Sequence, residues 1–165
     1  MTILAVSLAC YMFALVKRPL LYAGLVLQVA YVITRGMELG RLPLVGPHDT
    51  LVFLSASLAA FSIPFGVLLK EKKKYFNAVT VTSALFTIFV MLSKKNDAPL
   101  PPVLQTIWFE CHVVLAFMSY ALFGLAAILG YIYLTERDNV SEGLQYRAAL
   151  IGYCLITLSM IFGGI

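Results

Sequence analysis

Charge is scarce in this sequence. Only 12% of its 165 residues are Asp, Glu, Lys or Arg, while 61% are hydrophobic; a soluble domain carries about twice that charged share. Such a chain cannot be dissolved in water as a globule, so its solvent is a bilayer. Histidine is nearly missing, with His48 and His112 the only two, and tryptophan occurs once, as Trp108. The three cysteines, Cys10, Cys111 and Cys154, form no Cys-x-x-Cys pair, which removes zinc ribbons and thioredoxin-like chemistry. There is no Gly-x-Ser-x-Gly, no His-Glu-x-x-His and no phosphate loop, so no complete catalytic set is present. Paired acids are missing from the apolar runs, which argues against a proton relay or cation transporter. The net charge of +4 falls in short clusters between those runs and not in a basic patch interleaved with aromatics, so nucleic acid is not an expected partner.

What the chain has is six apolar runs: 2–16, 19–34, 50–69, 76–92, 107–134 and 147–165. Backbone groups in lipid must be satisfied within the segment or in a closed barrel, and these runs do not alternate as barrel strands do. The expected fold is an all-α integral membrane protein, a bundle of six transmembrane helices forming one domain over residues 1–165. The first two runs are short for the hydrocarbon, which takes about 20 residues; snorkelling by Lys17, Arg18 and Arg35 extends them. Pro64 is expected to bend the third, with Ser62 nearby to compensate. Lys17 and Arg18 follow the first run, whereas a signal peptide has its positive charge first, so that run reads as a retained span. Odd-numbered links hold Lys17, Arg18, Lys70, Lys72, Lys73, Lys74, Arg137 and Arg147, eight in all, against four in the even links, Arg35, Arg41, Lys94 and Lys95. The positive-inside rule then puts both termini on the extracytoplasmic side.

That orientation brings His112 to the outer mouth of the fifth span. An imidazole at the head of an oily run is an exception; one reading is interfacial hydrogen bonding, the other an axial haem ligand, because a neutral ring nitrogen donates to iron and a porphyrin needs apolar walls. Ala116, Ser119, Tyr120, Phe123 and Ala127 follow at helical spacing and would supply such a wall. His48 follows Gly46-Pro47 and reads either as a solvated loop or helix-start residue, with Asp49 or Thr50 as N-cap, or as a second iron ligand. Trp108 reads as an interfacial anchor, with haem contact as its other role. Glu110 is placed to pair with Lys94 or Lys95, or to orient an imidazole. The Lys70–Lys74 run reads as an anchor against anionic lipid. Gln28, Ser55, Ser57, Thr80, Thr82 and Ser83 line a polar path or serve helix packing.

Several stretches resemble one family. Gly40-Arg41-Leu42-Pro43 and Asp49 leading into Leu51-Val52-Phe53 look like its second outer loop and third span. Leu100-Pro101-Pro102-Val103-Leu104-Gln105-Thr106-Ile107-Trp108 followed by His112-Val113 resembles its Pro-x-Leu-x-Ser-x-Trp-Leu-x-x-His-Val stretch, with Thr106 for the usual Ser and Phe109 for the usual Leu. Gln145-Tyr146-Arg147, Ile151-Gly152-Tyr153 and Gly163-Gly164 are similar to the next link and span. The family is the cytochrome c biogenesis protein CcsA, also ResC. The resemblance implies a haem-handling membrane protein that presents haem b at the outer face, with a CcsB/ResB-type partner, to apocytochrome c, and His112 matches the family's first external axial histidine. The family continues into a Trp-rich WWD segment; this sequence resembles the portion before it, so the implied partners include a separate chain carrying that segment. The implied location is the plasma membrane, or the thylakoid membrane in a phototroph. A second expectation is a structural or anchoring subunit of a respiratory or photosynthetic complex.

Overall fold

A computed structural model describes residues 1–70 and 72–164 of the chain. Six α-helices follow one another: α1 (Thr2–Ala14), α2 (Pro19–Leu39), α3 (Pro47–Leu68), α4 (Lys73–Leu92), α5 (Ile107–Glu136) and α6 (Asn139–Gly163), with a 3-10 turn at Pro102–Leu104 before α5. Among the described residues there is no strand. Five helices, α2 to α6, are long and apolar enough to cross a membrane. The sixth, α1, is apolar but shorter: its 13 residues rise only about 20 Å against a hydrocarbon core of about 30 Å.

The helix ends are set by local chemistry that hydropathy does not register. α3 begins three residues before its apolar run because Gly46, at φ 91°, turns the chain into Pro47 at the first helical position, where a missing N–H costs nothing. Asp49 is thus inside the first turn and is not the N-cap. α6 begins eight residues before the expected 147, capped by Asp138, whose carboxylate accepts from Val140 N and Ser141 N. Arg147 lies two turns inside that helix and is exposed. α2 runs on to Leu39 and ends on Gly40 at φ 63°, the left-handed cap that glycine takes without strain. α3 continues through Pro64, and Ser62 Oγ donates to Ala59 O at 2.7 Å.

The packing order is α1 on α2 and α4, α2 on α3, α3 on α4 and α5, and α6 on α5. Gly24 lets α1 approach α2: a Cβ there would lie 2.6 Å from the Tyr11 ring, and Ser7 Oγ donates to Gly24 O at 2.9 Å. At the centre of the first four helices is Gln28, fully buried. Its Oε1 accepts from Tyr11 Oη at 2.8 Å, and its Nε2 donates to Ser55 Oγ at 3.0 Å and Thr87 Oγ1 at 2.8 Å. Ser55 Oγ donates in turn to Ser83 O at 3.1 Å. Gln28 and Ser55 therefore bind the helices to one another, whereas Thr82 bonds Ala78 O of its own helix and the Thr80 and Ser83 hydroxyls are buried without a partner among the described residues.

Residues 17–18, Lys70, Lys72 and residues 137–138 gather at one end. There Lys72 Nζ lies 2.6 Å from Asp138 Oδ2 and 3.4 Å from Glu136 Oε2, and Lys74 Nζ lies 2.9 Å from Glu136 Oε1. The Lys70–Lys74 run is thus partly an intramolecular tie. The Lys72 ammonium, with help from Ser141, holds the Asp138 carboxyl well below its ordinary range.

Gln28→Leu is expected to cost about 1–3 kcal/mol by leaving the buried Tyr11 hydroxyl without its acceptor, read as a lower Tm of the detergent-solubilised protein with its helix content unchanged. Because the Asp138 carboxyl is depressed, the stability it confers is complete above its unfolded pKa and is lost only as pH falls through the lowered one. Melting curves run from neutral to strongly acidic pH should show that loss, and Asp138→Asn, which keeps a capping side chain, should flatten it.

Candidate functional site

His112 lies in the second turn of α5, a helix whose start is fixed by Thr106, with Oγ1 accepting from Phe109 N. The ring turns toward α6. Its Nδ1 is 2.8 Å from Ser159 O and 3.1 Å from Ser159 Oγ, while Ser159 Oγ donates to His112 O at 2.7 Å. A carbonyl only accepts, so Nδ1 carries a proton, and in that tautomer the lone pair of the imidazole is on Nε2. Among the described residues Nε2 has no hydrogen-bond partner. Gly163 closes the cradle: a Cβ there would lie 2.6 Å from His112 Nδ1. The ring is half-buried, so its free nitrogen is neither sealed in the core nor loose in solvent. This is how a metal-binding imidazole is ordinarily oriented, with the other ring nitrogen donating to a backbone carbonyl.

His48 sits differently. It is fully buried in the first turn of α3, which corrects the solvated-loop reading. Its Nδ1 faces Val90 O at 3.0 Å and its Nε2 faces Tyr31 Oη at 2.7 Å. The carbonyl takes the Nδ1 proton, so the Nε2 lone pair accepts from the tyrosine. Both nitrogens are spent on holding α2, α3 and α4 together, and the structure does not bring His48 to the His112 cradle.

Trp108 is half-exposed one turn before His112 and stacks on Phe162, with ring centroids 5.6 Å apart and 25° between planes. Of the expected porphyrin wall, Ala116 and Ser119 are buried while Tyr120, Phe123 and Ala127 remain exposed. Ser119 Oγ donates to Gly152 O at 2.6 Å, and the Phe123 ring lies against Gly152, where a Cβ would be 3.0 Å away. The buried part of that face is taken by α6, because small residues let the two backbones close up. Among the described residues Glu110 pairs with neither Lys94 nor Lys95. It lines a cavity of about 450 Å³ with Arg41, Leu100, Leu104 and Thr106.

The segment leading to α5 is pinned from below. Arg35, 5% exposed, bonds Asp97 and reaches Glu38 at 3.3 Å, and its Nε is 3.5 Å from Asp49 Oδ1. The guanidinium lowers the Asp97 carboxyl pKa, chiefly through that hydrogen bond. Arg41 Nη2 donates to Ala98 O at 3.1 Å. Sequence reasoning missed Ser159, Gly163 and this arginine clamp. The Pro-rich approach to α5 was visible, but what anchors it was not.

These features define a polytopic helical membrane protein that offers one oriented imidazole nitrogen at one end of its bundle. Residues 45–165 match the cytochrome c assembly protein family, and the chain belongs to that family. The cytochrome c biogenesis protein CcsA of Buxus microphylla is 31% identical over 128 residues, covering 73% of this chain and 39% of the relative. That of Lemna minor is 29% identical over 127 residues, again covering 73% and 39%. That of Phalaenopsis aphrodite subsp. formosana is 33% identical over 96 residues, covering 55% and 29%. The chain thus spans less than half the length of the curated relatives it matches. No solved structure matches it.

In ¹⁵N-histidine NMR spectra His112 is expected to show the Nδ1–H tautomer with a bare Nε2. Gly163→Ala should push the ring out and replace that pattern with the averaged signal of a mobile imidazole.

Proposed function

We propose that this cytochrome c biogenesis family protein is a haem-handling subunit, with His112 as one axial ligand to haem iron. The observation that carries this reading is the His112–Ser159–Gly163 cradle, which fixes the tautomer and leaves Nε2 without a partner among the described residues. Trp108 stacked on Phe162 adds a half-exposed aromatic surface beside it. Haem b supplies iron for an axial imidazole and vinyl groups for attachment to thiols. In this reading His112 binds and orients, Ser159 holds its proton in place, and the arginine clamp sets where the approach loop stands. His48 is a structural residue whose nitrogens are committed. The complex includes a CcsB/ResB-type protein and takes apocytochrome c as client. We place α1 within the bilayer beside α2 and α4, both termini on the extracytoplasmic side by the Lys and Arg bias, and the whole in a thylakoid or bacterial plasma membrane; plant relatives favour the former.

His112→Ala is expected to abolish the Soret band of the purified complex, and His112→Gly with added imidazole to restore it. His48→Ala should keep the band and lower the melting temperature. An unchanged Soret band in His112→Ala overturns the assignment and leaves the structural or anchoring role.

A further inference from the structure

The least buried of the five long helices is α6. Its buried residues are Ser141, Leu144, Ala148, Gly152 and Ser159, of which Gly152 and Ser159 meet α5 directly. On the other side Gly143, Tyr146, Leu150, Tyr153, Thr157 and Met160 are all exposed, with Tyr146, Tyr153 and Met160 at 68%, 66% and 67%. These six recur at alternating intervals of three and four residues, the a and d positions of a heptad repeat. In that register Glu142 falls at g and Arg147 at the e position that follows. Both are exposed, and among the described residues neither side chain has a partner. Residues five apart do not face each other on one helix, so the two cannot pair within the chain. Between two parallel helices, however, a g residue and the next e residue are the side chains that meet across the seam. Arg147 lies about 12 Å along α6 and Tyr153 about 21 Å, near the middle of the span. A guanidinium or phenol turned to hydrocarbon is costly, and intramembrane cations ordinarily face another protein segment.

We infer that α6 is a pairing helix for a second copy of this chain. Copies in one membrane share a topology, so their α6 helices run parallel, as the contact from g to e requires. Two-fold symmetry makes that contact twice, from Glu142 to Arg147 of the second copy and the reverse. The heptad spacing suits the shallow left-handed crossing common between membrane helices. Gly143 and Thr157, small residues at a positions, let the backbones come close. A helix of a different protein would have to bring a cation to the depth of Glu142 and an acid to the depth of Arg147; this chain supplies both. The seam is independent of the haem reading, because Ser159 and Gly163 stay turned to His112.

Disulfide trapping in native membranes tests it, on a chain in which Cys10, Cys111 and Cys154 are replaced by serine and single cysteines are introduced. Copper-phenanthroline should trap dimers of Leu150→Cys, Tyr153→Cys and Thr157→Cys. Ile151→Cys and Leu158→Cys, at positions also exposed but off the seam, should stay monomeric. In detergent, energy transfer between labelled copies should show Arg147→Glu weakening the pairing about tenfold, the scale of two lost ion pairs. Glu142→Arg should do the same, and the double exchange should restore wild-type pairing. Circular dichroism checks that helix content is unchanged; where a single charge variant does not fold, the double exchange and the cysteine positions still decide. Trapping at Ile151 and Leu158 as strong as on the seam, no trapping at any seam position, or trapping to a different protein would overturn the inference. So would a double exchange that pairs no better than the single variants.

Discussion

In hydrocarbon there is no water to satisfy a buried polar atom, so each one must find its partner in the protein. That requirement sets the helix register of this chain. Gln28 has one acceptor and two donors to place, and it places all three across α1, α3 and α4. Tyr31 and Arg35 follow it on the same face of α2 at helical spacing, and both are buried. Tyr31 closes on His48 and Arg35 on the loop before α5. One stripe of α2 thus carries order from the middle of the bundle to the segment that introduces His112.

The two histidines show why residue type alone does not define a site. Both rings donate from Nδ1 to a backbone carbonyl, Val90 O for His48 and Ser159 O for His112. They differ at Nε2. A tyrosine hydroxyl caps the first, and binding a metal there would mean breaking a buried hydrogen bond and separating three helices. The second costs nothing to use. An unspent lone pair on an oriented ring is the distinction that matters chemically, and only the partner list reveals it.

The helices were legible in the sequence because lipid leaves an uninterrupted apolar run a single backbone solution. Their ends were less so. A hydropathy reading stops at Arg147, yet the stop signal that matters is Asp138, whose carboxylate caps the helix while Glu142 and Arg147 ride on its exposed side. Gly46-Pro47 looks like a turn and is also a helix start, which is how His48 passes for a loop residue. At the site, His112 stands out as a polar residue opening an oily run. Ser159 and Gly163 do not, because small residues in a membrane helix look alike whether they pack a neighbour or cradle a ring. Ser119 illustrates the same ambiguity: its smallness serves the approach of α6, where a porphyrin was equally compatible with the pattern.

Buried Arg35 is the feature that joins fold and site most closely. Asp49 is 2% exposed and neither carboxylate oxygen has a hydrogen bond among the described residues; its compensation is the guanidinium 3.5 Å away and the positive end of α3. Withdrawing Arg35 would strand a buried charge, which costs far more than an exposed ion pair returns. The guanidinium is therefore held in place from the α3 side whether or not the loop is docked. Asp97, exposed and on the loop between α4 and α5, gains a fixed post because of a debt owed elsewhere. A weak surface contact acquires positional authority in this way: its own energy is small, but the group it binds has no other place to go, and the first turn of α5 inherits that certainty.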